Sequence, residues 1–184
     1  NMKEFATLIQ DLDSTNKTTQ KVVAIERFLT EASNEDKLWF LALFTGKRPK
    51  RAVTTALLKQ WVLELTQLPE WLFVESYAAV GDLGETIALL LPNHETSSEK
   101  SLVTWMDEII NLKEQSEEEK KAYVFTSWNQ LNTTERCIFN KLLGGSFRVG
   151  VSSKTLINAL AKHYKIEATA VTHAIMGDWK MNEV

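Results

Sequence analysis

The chain has 184 residues, 44% of them hydrophobic, and a formal net charge of −3. That is enough for one medium domain or two small lobes with a real core, and too apolar for a disordered chain. No apolar run reaches membrane-spanning length, no secretory signal opens the sequence, Cys137 is the only cysteine, and glycine (7) and proline (3) are scarce; these exclude a membrane partner and a disulfide framework, and favour an all-α fold in a reducing, cytoplasmic setting.

In chain order, apolar residues at helical spacing predict a first helix over Lys3 to Leu12 and a second from about Thr19 to Ala32. Asn1 ahead of Met2 reads as an expression leftover. Ser33 or Asn34 caps a third helix carrying Leu38, Trp39, Leu41, Ala42 and Phe44, and Gly46 stops it. A basic turn, Gly46-Lys47-Arg48-Pro49-Lys50-Arg51, leads to a fourth on Val53, Leu57, Leu58, Trp61, Val62 and Leu65. Pro69 opens a fifth, whose Trp71, Leu72, Val74 and Tyr77 are available for burial and which ends at Gly81. Asp82 and Glu85 have capping-box spacing for a sixth, Leu83 to Leu91, stopped by Pro92.

A polar linker over 92–101 follows. A seventh helix covers Ser101 to Leu112, and the acidic run Glu117-Glu118-Glu119 suits the dipole at the start of the next. Ser116 with Glu119, and Asn132 with Glu135, repeat the capping-box spacing for helices ending at Leu131 and Leu143. The last two begin at Ser152 or Ser153 and near Glu167, the final one ending at Gly177-Asp178-Trp179. The total is about ten to eleven helices.

The stretch LLGGSFRVGVSSKTLINALA, Leu142 to Ala161, carries the strongest chemical signal. A helix stops at Gly144-Gly145, a short extended piece Ser146 to Gly150 follows, and a serine caps a new helix. Turn glycines and a helix N-terminus leave backbone N–H groups uncovered, and Arg148 and Lys154 add charge, so the stretch suits a phosphate.

Charge is patterned to match. From Lys37 to Leu63 there is no acid and six basic residues, and the same holds from Arg136 to Ile166. An even spread of acids would put about seven or eight in those windows, so two basic patches on an acidic body point to a polyanion. The windows are also related. Sliding the chain by 99 positions puts Ser33 on Asn132, Asp36 on Glu135, Gly46 on Gly145, the basic turn on Ser146 to Gly150, and Leu57, Leu58 and Trp61 on Leu156, Ile157 and Leu160. With a small deletion Gly81-Asp82-Leu83 falls on Gly177-Asp178-Trp179. Two pseudo-symmetric helical lobes, about 1–92 and 101–184, are expected, matching the local two-fold symmetry of duplex DNA.

Four pieces together resemble the N-terminal DNA-binding domain of ATP-dependent DNA ligases: FATLIQDL near the start, FTGKRPKRAV at 44–53, VGDLGETIALLL at 80–91, and the stretch at 142–161. The basic turn looks most like bacterial and archaeal members. The resemblance covers nearly the whole chain. It implies an all-helical monomer lying across the minor groove of nicked double-stranded DNA, gripping the backbone on both sides of the break without sequence specificity. It implies one phosphate-contacting turn at Gly81, Asp82, Leu83 and Gly84, another at Gly144, Gly145, Arg148, Gly150, Ser152 and Lys154, and a third at Lys47, Arg48, Lys50 and Arg51. Phe147 stands where the family often has a smaller aliphatic residue, and no contact is carried onto Gly177-Asp178, which lacks the second glycine.

The family's catalytic lysine lies in a Lys-x-Asp-Gly motif on a following nucleotidyltransferase domain, and no lysine here has that context. The chain is therefore expected to be a non-catalytic piece of a longer ligase serving replication, repair or recombination in the bacterial nucleoid. ATP, Mg²⁺, the adenylyl-lysine and the catalytic and OB-fold domains belong to the rest of that enzyme.

Other chemistry has thin support. His94, His163 and His173 lack zinc-ligand spacing. Cys137 sits on an apolar helix face and reads as structural, the neighbouring Asp107 and Glu108 point about 100° apart, and most of the six tryptophans read as core. A helical protein-interaction scaffold is the competing reading. A helix-turn-helix regulator has only Lys154, Asn158 and Lys162 to offer as a recognition row.

Overall fold

Side-chain caps set most of the helix starts. The computed structural model describes residues 2–93 and 98–176, and among these there are eleven helices and no strand. They are α1 (Met2–Asp13), α2 (Thr18–Glu31), α3 (Asn34–Phe44), α4 (Thr55–Thr66), α5 (Glu70–Val80), α6 (Leu83–Leu90), α7 (Leu102–Leu112), α8 (Glu117–Gln130), α9 (Thr133–Gly144), α10 (Ser153–Tyr164) and α11 (Ala168–Met176). Ser33, Thr54, Asp82, Ser116, Asn132 and Ser152 each accept the backbone N–H three residues on. Asn132 and Glu135 close a reciprocal box, Glu135 Oε1 accepting the Asn132 amide at 3.0 Å. The fourth helix starts later than its apolar pattern suggests. Ala52 and Val53 instead donate their amides to the Leu143 carbonyl at 2.9 and 3.3 Å, and the helix waits for the Thr54 cap.

Helix ends are as specific. Gly46 and Gly145 take left-handed φ values of +86° and +74°, where a Cβ is strained. Lys47 N–H returns to Ala42 O at 2.8 Å and Ser146 N–H to Lys141 O at 3.0 Å, while the glycine amides return to Leu43 and Leu142. Both are Schellman closures, 99 positions apart.

The first compact unit holds α1, α2, α3, α10 and α11 with residues Lys100–Val103. Phe5 meets Phe28 edge-on at 6.2 Å and Phe28 meets Phe40 at a tilt at 5.4 Å, and Ile25, Leu29, Leu43, Leu156 and Leu160 are buried in the same unit. Asp36, buried, accepts the amides of Leu102 and Val103 at 3.3 and 3.1 Å. A carboxylate at the first turn of α7 satisfies orphan donors and opposes the helix dipole.

The second unit holds Arg48–Glu99 and Thr104–Phe147. Here α6 packs on α9, α5 and α4. Trp105 and Tyr123 meet Phe139 at 5.4 and 6.0 Å, and Trp61, Phe73, Ile87 and Trp128 are among the other buried side chains. Two buried polar side chains tie distant segments together. Arg136 Nε donates to Trp128 O at 2.7 Å and its Nη1 to Pro92 O at 2.6 Å. Asn140 accepts from Trp128 Nε1 at 2.8 Å and donates to Gly84 O at 3.1 Å.

Each unit draws helices from both halves of the sequence repeat: α1–α3 with α10 and α11, α4–α6 with α7–α9. The repeat register is not one shift. Buried Phe5, Ile9 and Leu12 match Trp105, Ile109 and Leu112 at a shift of 100; Ile25 and Leu29 match Val124 and Trp128 at 99. The Thr54 cap and the left-handed Gln67 match Ser152 and Lys165 at 98. Leu156 therefore corresponds to Leu58, because the turn before α10 is one residue shorter. Helix α5 also departs from expectation: Phe73 is its buried anchor, while Trp71, Val74 and Tyr77 are 66%, 49% and 41% exposed. The expected pairing at 177–179 lies outside the described residues.

Replacing Arg136 by Leu leaves two inward carbonyls without their donor and should cost about 3 kcal/mol in urea unfolding; a loss under about 0.5 kcal/mol would show the guanidinium holds nothing. Burial, then the neighbouring Glu108 charge and the hydrogen bond to it, push the Tyr123 phenol well above its ordinary value. The folded state thus holds that proton more tightly than the unfolded chain, whose tyrosine titrates near pH ~10. Its contribution is complete below about pH 10 and declines as pH rises. Thermal scans between about pH 9 and about pH 11 should show a steeper fall for the parent chain than for Tyr123→Phe.

Candidate functional site

The second unit brings one expected turn, and only the first glycine of another, to one groove of about 530 Å³. It is lined by Gly81, Asp82, Leu83 and Gly84 on one side and by Gly144 and Ser146 on the other. The basic segment lies against its α9 end. Arg48 Nη1 donates to the carbonyls of Gly145 and Phe147, each at 3.2 Å. A Cβ placed on Gly145 would sit 3.5 Å from Arg51 Cβ. Arg48 is thereby a loop-holding residue, whereas Lys50 and Arg51 are exposed.

Which amides face an incoming anion differs from the sequence expectation. Those of Gly145 and Ser146 turn back onto α9, and that of Gly81 onto Tyr77 O at 2.8 Å, so the glycine turns do not leave these donors uncovered. The open donors are at helix starts. Leu83 and Gly84 carry the first amides of α6, and Ser153 and Lys154 those of α10. Asp82 caps Glu85 N at 2.8 Å and pairs with Lys141 Nζ at 3.3 Å, which offsets its own negative charge.

The glycines have separate physical reasons. Gly84 lets α6 approach α9, since a Cβ would lie 3.1 Å from Lys141 Cγ and 3.3 Å from Cys137 O. Gly81 is needed for its φ of +81°. Gly144 is needed for neither: its φ is not left-handed and a Cβ meets nothing within 4 Å.

On the first unit, Ser152 caps α10 through Thr155 N at 3.2 Å and exposed Lys154 sits in the first turn. Arg148 is exposed as well, and Lys47 is half-buried. Gly150 faces a carboxylate. A Cβ there would fall 2.7 Å from Asp13 Oδ1, and its carbonyl accepts Lys21 Nζ at 3.1 Å. Phe147, left open by the sequence, is a core residue of the second unit.

The two windows without acids are not free of acids in space. Lys59 pairs with Glu70 at 2.9 Å, a hydrogen bond that holds the Glu70 carboxyl below its usual value. Lys162 pairs with Glu26 at 3.7 Å, Lys141 with Asp82, and Arg136 is inside the core. Lys50 and Arg51 are exposed on one unit, and Arg148, Lys154 and Lys165, like the paired Lys162, on the other.

A family model described as DNA ligase N terminus matches residues 1–161. The chain belongs to this family, the N-terminal domain of ATP-dependent DNA ligases. No curated protein matches it. Two kinds of residue that organise the ligase domain escaped sequence reasoning. Asn140 and Arg136 are polar residues at helical core positions, and their signal was only that they fall on the buried stripe of α9. No helix among the described residues is long and apolar enough to cross a membrane.

Gly144→Leu should keep or raise stability, by up to about 1 kcal/mol, because a helix former replaces glycine in open space. The same change tests the groove as a seat for DNA: on that reading it should weaken binding of nicked duplex about tenfold or more, read by fluorescence anisotropy beside thermal melting. Gly84→Val should lower the melting point, because its side chain crowds the α6–α9 contact.

Proposed function

We propose that this ligase domain is a non-catalytic clamp on duplex DNA, holding backbone phosphates on the minor-groove side of a nick without regard to sequence. The carrying observation is the single groove where the α6 start and the α9 end converge, with exposed Arg51 beside it. Helix starts favour anions through free amides and the dipole, and arginine adds a full charge. Such contacts position a duplex and read no bases.

In the complete enzyme the clamp would present the nick to a catalytic domain. That domain would supply the Lys-x-Asp-Gly nucleophile, ATP and Mg²⁺, with an OB-fold domain closing on the other side. Nick sealing in replication, repair or recombination is the role this fits. The residues proposed to touch phosphate are Leu83, Gly84, Gly144, Lys50 and Arg51 on one unit and Arg148, Ser152 and Lys154 on the other.

Binding of a labelled nicked duplex by the 184-residue chain should weaken steeply with salt, log K falling by about 0.9 per phosphate contact. Arg51→Ala and Lys154→Ala should each reduce that slope by about one, equally on unrelated sequences. Lys162→Ala, whose ammonium already has Glu26, should change it far less. Salt-insensitive binding, or no binding, would favour a protein-interaction scaffold; altered base preference would mean direct readout.

A further inference from the structure

Helix α5 carries an outward apolar face, most of it outside the groove. Trp71, Val74, Glu75 and Ala78 stand at i, i+3, i+4 and i+7 and are all exposed, Trp71 at 66% and Val74 at 49%. Of the four, only Val74 borders the groove. The charge around this face has one sign. From Gln60 to Glu99 the sequence holds seven acids and no lysine or arginine. Glu64, Glu70 and Asp82 are met by Lys121, Lys59 and Lys141. Glu75 has no ion pair among the described residues. An acidic, apolar helix face repels a phosphate backbone, so it does not extend the proposed clamp. Its complement is a surface that is cationic and apolar.

The chain carries that complement on its first unit. Helix α10 runs out into Tyr164, Lys165 and Ile166, all exposed, the tyrosine at 45% and the isoleucine at 50%. Lys165 closes the helix at a φ of +55°, and the Ile166 amide returns to Ala161 O at 3.1 Å, so this corner is held in place. No acid occurs from Arg136 to Ile166. Lys162 has Glu26, whereas Lys165 has no ion pair among the described residues.

We propose that the α5 face of one copy of this chain docks the α10 end of a second copy. Trp71 packs against Tyr164 and Ile166, and Glu75 faces Lys165. A second copy is the occupant because the complementary charge lies in the same sequence, an acid-only window against an acid-free one. The two surfaces differ, so the contact is head-to-tail, and a pair keeps one free surface of each kind. The area is small and its charges are exposed, so the association is weak and salt-sensitive. The inference stands without the clamp reading, since neither Trp71 nor the α10 end is a proposed phosphate contact.

The test is sedimentation velocity on the 184-residue chain in about 50 mM salt, from about 10 to about 500 µM. The weight-average mass should rise with concentration, and about 500 mM salt should weaken association at least about fivefold. Trp71→Ser and Ile166→Asp each remove one surface. Either variant alone should stay monomeric. Mixed, they should form heterodimers and nothing larger, because each supplies the surface the other lacks. Glu75→Lys should weaken association about tenfold, and adding Lys165→Glu to the same chain should recover at least about threefold of that loss. The four replaced side chains are exposed, so these changes spare the fold. A parent chain that is monomeric at every concentration would overturn the proposal. So would an Ile166→Asp chain that associates as the parent does, since like surfaces would then be meeting, or a mixture that stays monomeric.

Discussion

The Arg48 guanidinium on the carbonyls of Gly145 and Phe147 is the contact from which the site follows. A chain that leaves a helix through a left-handed glycine exposes carbonyls that need donors. Here one arginine answers two of them, and the amides of Ala52 and Val53 answer Leu143. These bonds fix the basic segment against the end of α9. Lys50 and Arg51 are then held near a groove rather than on a free loop, so less conformational entropy opposes their use in binding.

Helix ends were readable because their chemistry is local. Ser33, Asn132 and Ser152 announce starts, and Gly46, Gly81 and Gly145 announce stops, from side chain or φ requirements within four residues. The composition of the units was not readable in the same way. A repeat in sequence says which segments are alike, not which of them pack together, and α10 packs on α2 from the other half. The α5 error has the same origin. Its apolar residues fall on more than one face, and only the packing against α6 decides that Phe73 goes inward and Trp71 outward.

Charge taught the opposite lesson to the one its pattern suggested. Absence of acids along 58 positions reads as a repulsion-free patch, yet carboxylates arrive from elsewhere in the fold to meet Lys59, Lys141 and Lys162. Exposed pairs of this kind add little stability. Their effect is on where positive potential remains. By pairing Lys59, Lys141 and Lys162, they leave the exposed turn residues Lys50 and Arg51 as a source of positive potential on the second unit. A net charge of −3 does not by itself oppose the clamp reading, because a polyanion responds to the local potential within about 10 Å, not to the total.

Asp82 is the residue that most constrains how a phosphate could approach. It puts a carboxylate at the start of α6, where the dipole would otherwise draw any anion. Its Oδ1 accepts Glu85 N and its Oδ2 faces Lys141, so that negative charge is tied back toward α9 and the third amide of the helix. The amides of Leu83 and Gly84, the first two of the helix, are not the ones this carboxylate is shown to hold. Gly144 and Val74 border the same groove, so under the clamp reading an anion would reach those amides along a flank where glycine gives room and the wall is apolar. The capping aspartate orients the site as well as starting the helix, because one carboxylate cannot satisfy the helix start from every direction.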